Sequence, residues 1–354
     1  MSRELTLDGC RVADDSDCFV IAELGHNHQG QVEVAKALVK AAQECGVNAV
    51  KLQKRDNRGL YTREMYNKPY EHESSFGPTY GQHREALELG WDEYREVQSY
   101  ARKLGISLFA TAFDFRSADF LAKLDMPMFK MASGDLTNIP LLKYVASFQK
   151  PMIISTGGGS LADVERAYDA VMPINPHICL MQCTASYPAA FEELNLQVIT
   201  TYRERFPDVV VGLSAHDNGI AMALIGYVLG ARVVEKHFTL NRSMKGTDHA
   251  FSLEHPGMQR LVRDLKRARL AMGDGIKHPF PSEQAPLYKM SKKLVAIRDL
   301  PAGHVLTRED LAIKSPNDGV PPYEIDKVIG RRIQRPLTED ENIRLEDLTT
   351  ADGH

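Results

Sequence analysis

CFVIAELGHNHQGQVEVAKALVKAAQECGVNAVKLQ, Cys18 to Gln53, is the stretch whose reading decides the fold. It begins with an apolar run, Cys18–Leu24, broken only by Glu23. An amphipathic segment follows at Val32–Cys45, closed by Gly46, the residue that most easily ends a helix. A second apolar run, Ala49–Gln53, completes the unit. Strands that are apolar on both faces suit a parallel sheet, covered by helices on one side and core on the other. The unit recurs along the chain, with further runs at Ser107–Phe113, Met128–Ser133, Met152–Thr156, Ile178–Thr184, Val209–Ser214 and Arg232–Phe238. Eight buried strands alternating with helices are what a closed (β/α)8 barrel requires. Trp91–Leu104 reads as another of the intervening helices. Ser160 before LADVE, and Asp217 or Asn218 before GIAMALIGYVLG, read as helix starts, and Gly105 and Gly230 as stops.

A barrel takes roughly 250 residues, so a chain of 354 leaves room for a small second domain. The barrel is expected over residues 1–277. HPFPSEQAPLYKM, 278–290, is rich in Pro and polar residues and reads as a linker. Residues 291–354 read as a separate unit of short strands and turns, with KLVAIRDL and VLTREDLAIK flanking the turn Pro301-Ala302-Gly303 and a helix start at Thr338. At that size it is near the lower limit for independent stability.

The composition, 43% apolar and 25% charged, is that of an ordinary globular protein. The net charge of −4 argues against a nucleic-acid partner. No run approaches the ~20 apolar residues of a membrane span, and Met1 to Asp17 lacks the apolar centre of a signal peptide. The five cysteines form no CxxC pair and read as reduced thiols, which gives a cytoplasmic expectation.

In a barrel enzyme the site lies where strands end and βα-loops begin. The strand ends here collect Glu23 with His26, Asn27 and His28; Lys51 and Gln53; Thr111, Phe113 and Asp114; Lys130, Ser133 and Asp135; Ser155-Thr156 and Gly157–Gly159; Gln182-Cys183-Thr184 and Tyr187; Ser214, His216 and Asp217; Glu235, Lys236 and His237, then Lys245 to His249. Taken singly, a strand lysine is ordinarily a snorkelling side chain, and Cys183 is a small core residue. Gathered at one mouth, so many charges are costly to bury without a small anionic ligand or a cation. His216 and His237 end adjacent strands and can reach one ion; two imidazoles suit a borderline divalent metal, with open positions for water and substrate. The glycine run reads either as a phosphate cradle or as a tight turn into the next helix.

FVIAELGHNHQG, AVKLQK, FATAFD, FKMASGDLTN, ISTGG, QCTASYP, VGLSAHD, EKHFTL and KGTDHAFSLEHPG, in this order, resemble the motifs of the sialic acid synthase family from Phe19 to about Leu348. The resemblance implies an α/β fold: a (β/α)8 TIM barrel followed by a small C-terminal SAF (antifreeze-like, β-clip) domain. It also implies condensation of phosphoenolpyruvate with an N-acetylhexosamine acceptor, and a homodimer in which each SAF domain caps the partner's barrel. The implied cofactor is a divalent metal on His216 and His237, with Mn2+ the first choice and Mg2+ or Co2+ the alternatives. Phosphoenolpyruvate is assigned to Lys51, Gln53, Thr111, Lys130, Ser133 and Ser214. Glu23 would handle water or its proton, and Asp135 and Asp248 the sugar hydroxyls. Tyr187, Lys68, His83 and Arg84 are assigned to the acceptor. KPYEHESSFGPTYGQHREALELG, Lys68–Gly90, and Asp135 resemble the branch that uses N-acetylmannosamine 6-phosphate. Ser315 departs from the Arg that synthases of the free sugar place on the N-acetyl group, Ala185 from an amide or hydroxyl residue, and Ala215 from the usual Asp or Gly. The rival readings are a synthase of a legionaminic, pseudaminic or KDN-type acid, a Schiff-base aldolase using Lys130 or Lys236, and a non-catalytic sugar-binding protein.

Overall fold

The computed structural model describes residues 3–350. The chain divides into two compact units at Gly273 and Asp274. The first opens with an antiparallel hairpin, β1 (Glu4–Leu7) and β2 (Cys10–Ala13). Eight strands follow: β3 (Phe19–Gly25), β4 (Ala49–Lys54), β5 (Ser107–Ala112), β6 (Phe129–Met131), β7 (Met152–Ser155), β8 (Ile178–Cys183), β9 (Val210–Ala215) and β10 (Val233–His237). They pair in parallel and in chain order, and β10 closes onto β3. Each of these strands falls within two or three residues of an apolar run identified above.

Successive side chains on a strand face opposite ways, and closure gives the two faces different fates. Val20, Leu52, Leu108, Phe129, Ile154, Leu180, Leu213 and Val234 face outward into a core shared with the helices, such as Val32–Glu44 and Trp91–Leu104. The alternate residues fill the barrel. Its lower half is apolar, with Phe19, Ile21, Ala49, Phe109, Met128, Ile153, Met181, Val210 and Val233 in one cluster. Leu5, Leu7 and Val12 of the hairpin join that cluster, so the polar N-terminal stretch contributes an apolar plug through every second residue. Gly212 is required inside: a Cβ there would lie 2.8 Å from the Val233 carbonyl oxygen.

Several helix signals hold. Ser160 caps Leu161–Val171 reciprocally with Asp163, and Gly105 ends Trp91–Leu104 at φ 68°. Others differ. Asp217 and Asn218 do not start the next helix; it runs Ala221–Val228 behind Ile220, without a side-chain cap. The Asp217 carboxylate instead pairs with Lys236 at 3.1 Å. Asp114 caps Phe115–Lys123 by accepting from the Ser117 amide.

The second unit has two short antiparallel pairs, β11 (Lys293–Ala296) with β12 (Leu311–Lys314) and β13 (Arg331–Ile333) with β14 (Leu348–Thr350). Leu294, Leu300, Leu306, Val328, Ile333, Leu337 and Ile343 form its own core. The stretch expected as a linker contains a 3-10 turn at Pro281–Glu283 and a helix at Gln284–Met290, neither with a buried residue. Thr338 starts a turn closed by Glu341 rather than a helix.

Candidate active site

The upper half of the barrel interior is polar because the same alternate positions carry different residues there. Above Ile21 stands Glu23, above Ala49 stand Lys51 and Gln53, above Phe109 Thr111, above Met128 Lys130, above Ile153 Ser155, above Gly212 Ser214, and above Val233 Glu235 and His237. All of these polar residues except Lys51 line a cavity of about 430 Å3 at the C-terminal mouth of the strands.

Of the residues assigned from sequence, Glu23, Gln53, Thr111, Lys130, Ser133, Tyr187, Ser214, His216, His237, Asp248 and Arg84 line this cavity. Lys51 lies just beneath it, 2.6 Å from Glu23 Oε2 and donating to Thr111 Oγ1 at 2.9 Å. Asp135 is buried beside the mouth, accepting from Asn138 at 3.0 Å, and is not part of the wall. Lys68 and His83 are elsewhere. Lys68 is exposed at the end of the short helix Arg63–Asn67. His83 is buried among Tyr70 and Phe76, where its ring accepts from the Phe76 amide at 3.1 Å.

Among the lining residues given no role from sequence are Arg55, Ser155, Cys183 and Glu235. Glu235 was legible, since it precedes His237 by two on one strand and therefore shares its face. Ser155 likewise follows inward-facing Ile153. Arg55 sits one residue past β4, where no strand periodicity applies.

The electrostatics separate the two central lysines. Lys51 is neutralised by Glu23 and, at 3.6 Å, by Glu235. Lys130 donates to Ser155 Oγ at 2.6 Å and to the Met131 carbonyl at 3.1 Å, with no carboxylate in ion-pair contact among the described residues; burial lowers its pKa. Burial raises Glu23 to about 7 in spite of Lys51 beside it. Glu235 is held below the ordinary carboxylate range because Lys51 and Lys130 together overcome its burial. Lys236, the other candidate amine, points out of the barrel toward Asp217, away from the cavity.

The rings of His216 and His237 are 5.3 Å apart between centroids. His216 Nδ1 lies 2.8 Å from the Thr184 carbonyl oxygen, to which a protonated Nδ1 donates, leaving Nε2 as a lone pair. Burial lowers His237 to about 4, so it is neutral, and its Nδ1 is buried without a hydrogen-bond partner. Two facing imidazoles, that of His237 neutral with an unsatisfied nitrogen, fit a divalent ion. Among the described residues no set of three His, Cys, Asp or Glu side chains converges to cage one, so further ligands would come from water and substrate. Tyr187 packs on both rings, 4.2 Å from His216 and 6.1 Å from His237.

Comparison with known proteins agrees with this architecture. The NeuB family model matches residues 38–277, and the SAF domain model matches 293–349. The chain is 39% identical to N-acetylneuraminate-9-phosphate synthase of Homo sapiens over 355 residues, 100% of this chain and 99% of the relative. It is 37% identical to N,N'-diacetyllegionaminic acid synthase of Legionella pneumophila, covering 91% of this chain and 92% of the relative. The solved structure of the N-acetylneuraminic acid synthetase from Leptospira borgpetersenii, in complex with citrate, superposes with a TM-score of 0.71 at 29% identity, covering 81% of this chain and 95% of that one. Barrel, polar mouth and these likenesses agree: the chain is a member of the NeuB family, the sialic acid synthases, with a C-terminal SAF domain.

Proposed function

We propose that this enzyme condenses phosphoenolpyruvate with N-acetylmannosamine 6-phosphate and releases inorganic phosphate. The observation that carries the reading is one cavity holding Lys130, free of any carboxylate in contact among the described residues, with Thr111, Ser133, Ser155 and Ser214, beside the facing imidazoles of His216 and His237. The phosphorylated acceptor is favoured by the likeness to N-acetylneuraminate-9-phosphate synthase.

Lys130 and the hydroxyls bind the carboxylate and phosphate of phosphoenolpyruvate; lysine acts as a point charge there. C3 of phosphoenolpyruvate attacks the aldehyde carbon of the open-chain sugar. Water adds at C2, and the tetrahedral intermediate expels phosphate. Glu23, poised near neutrality and held by Gln53 at 2.6 Å and by Lys51, takes the proton of that water. Asp248 and Tyr187 orient the sugar hydroxyls. His216 and His237 would hold a divalent ion, Mn2+ first, with Mg2+ or Co2+ as alternatives, and when bound it would supply positive charge to polarise the aldehyde oxygen.

The proposal extends to a homodimer working in the cytoplasm. The cysteines are all free, which fits a reducing compartment, and no helix among the described residues is long and apolar enough to cross a membrane. Light scattering on the purified protein measures the assembly.

The decisive assay follows phosphate release from phosphoenolpyruvate with Mn2+ and a panel of acceptors, with and without 6-phosphates. No release with any acceptor refutes the reading. Borohydride trapping with pyruvate tests the aldolase rival, since the synthase forms no imine.

A further inference from the structure

One wall of the cavity is not used by the chemistry above. Arg55 and Arg84 both line it, on either side of the His26 ring. The Arg55 guanidinium is 3.1 Å from His26 Nε2, and that of Arg84 is 3.2 Å from His26 Nδ1. Arg55 is 8% exposed and lies flat on the Phe113 ring, 3.6 Å from its centroid. Arg84 is further held through the Tyr80 hydroxyl at 3.0 Å.

This arrangement is unsatisfied as it stands. Burial first, then the two guanidinium charges, push the pKa of His26 well below its ordinary value, so the ring is neutral. A neutral imidazole has one lone pair. Only one of its two arginine contacts is therefore a hydrogen bond, and the other sets N–H against N–H. Neither guanidinium is in ion-pair contact with a carboxylate among the described residues. Of the nearest acids, Glu88 pairs with Lys54 through one oxygen at 2.9 Å and brings the other to 3.6 Å from His26 Nε2, and Asp248 accepts from Thr247 at 2.8 Å. Burial and then the Arg84 charge lower the pKa of Arg55, whereas at Arg84 burial is outweighed by Tyr80, Tyr61 and Asp248, which raise its pKa. Two like charges, one buried and one half-buried, clamped around a neutral ring call for a compact anion with several acceptor oxygens.

The anions of phosphoenolpyruvate are met by a separate cation group, Lys130 with its hydroxyls. We propose that Arg55 and Arg84, spaced by His26, form a second anion seat that takes the phosphate monoester of the acceptor sugar, and that Arg55 is a specificity-determining residue of this enzyme. The assignment rests on the synthase reading above. His26 acts as the spacer: with the anion present, its N–H and both guanidinium forks point at oxygens rather than at one another.

The test measures steady-state kinetics of Arg55→Gln, Arg55→Lys and Arg84→Gln with N-acetylmannosamine 6-phosphate and with N-acetylmannosamine at saturating phosphoenolpyruvate, and then the KM for phosphoenolpyruvate. A lost charge-assisted contact changes binding about tenfold to a hundredfold. The ratio of kcat/KM for the phosphorylated over the unphosphorylated sugar should fall by that factor in both Gln variants, chiefly through KM. Arg55→Lys, which keeps the charge but not the fork, should recover part of it. Inorganic phosphate should compete with the phosphorylated sugar in the wild type and lose that competition in Arg55→Gln. An equal loss on both sugars, or a rise confined to the KM for phosphoenolpyruvate, overturns the seat while leaving the synthase reading intact. Absence of turnover in the wild type with either sugar fails the synthase reading itself. Melting temperatures of the variants identify any loss due to folding, and inhibition by phosphate still reports the seat in a folded but slow variant.

Discussion

Replacing Lys130 with Met separates binding from stability. In the free protein Lys130 is 3% exposed, hydrogen-bonded to Ser155 and the Met131 carbonyl, and without a carboxylate in ion-pair contact among the described residues; Glu235 acts on it only from a distance and does not offset its burial. A buried ammonium without a paired anion destabilises the fold, whereas an apolar side chain of similar length fills the space without that penalty. Lys130→Met is therefore expected to melt higher than the wild type without substrate. A gain of about 1 kcal/mol corresponds to roughly 2–4 °C in a domain of this size. The same substitution removes a charge-assisted contact of about 1.5–3 kcal/mol from phosphoenolpyruvate, raising its KM roughly tenfold to a hundredfold. The pH dependence follows from the lowered pKa. Below the folded pKa the ammonium is charged in both folded and unfolded states, and folding bears the full penalty. As the pH rises through the folded pKa toward the ordinary lysine value, the folded state sheds its proton first and the wild type gains stability. The gap between wild type and variant should narrow over that window. Lys51→Met is the control. Its loss leaves Glu23 and Glu235 buried without their main counter-ion, so it should melt lower than the wild type. Calorimetry without substrate and phosphate release at varied phosphoenolpyruvate measure both effects. If Lys130→Met is as destabilised as Lys51→Met and keeps a normal KM, the reasoning about an uncompensated charge is wrong.

His216→Ala and His237→Ala should each abolish turnover and weaken Mn2+ binding measured by titration calorimetry; full activity after exhaustive chelation sinks the metal assignment. Leu7, wholly buried in the hairpin that plugs the barrel floor, should cost about 2–5 kcal/mol when cut to Ala, and a denaturation midpoint within error of the wild type disproves the plug. In the second unit Asp310 accepts from the Thr307 amide, His304 and Arg298. These donors outweigh its burial and hold its pKa below the usual range. Asp310→Ala should lower that unit's stability by about 1–3 kcal/mol, since Arg298 is largely exposed and adds little. The Asp310 contribution is present above the ordinary carboxylate pKa and disappears as pH falls through the lower folded value. Hydrogen exchange over residues 291–350 reads this unit separately, and unchanged protection there rejects the role.

What the sequence by itself determined is everything carried by local pattern. The eight apolar runs are strands because burial on both faces leaves them no polar positions to expose, and that signal is contained within each run. Trp91–Leu104 and its stop at Gly105, and the Ser160–Asp163 capping pair, are likewise set by residues within a few positions of one another. Most of the mouth was legible because polar residues inside apolar strands are conspicuous. Only the tertiary structure decided the phase of each strand. Two-residue alternation says that Lys236 and His237 face opposite ways but not which way is inward; closure of β10 onto β3 sends His237 and Glu235 into the cavity and Lys236 out to Asp217. The loops escaped for a related reason. Arg55 and Arg84, near the two ends of the long connection after β4, meet His26 of the loop after β3 only because the two strands are neighbours in the barrel, while His83, one residue from Arg84, turns into an aromatic cluster. The plug at Leu5, Leu7 and Val12 was hidden because four-residue strands with one buried side read as polar until something hollow is placed above them. Contacts between residues distant in the chain depend on closure of the whole barrel, and no short window of sequence contains that information.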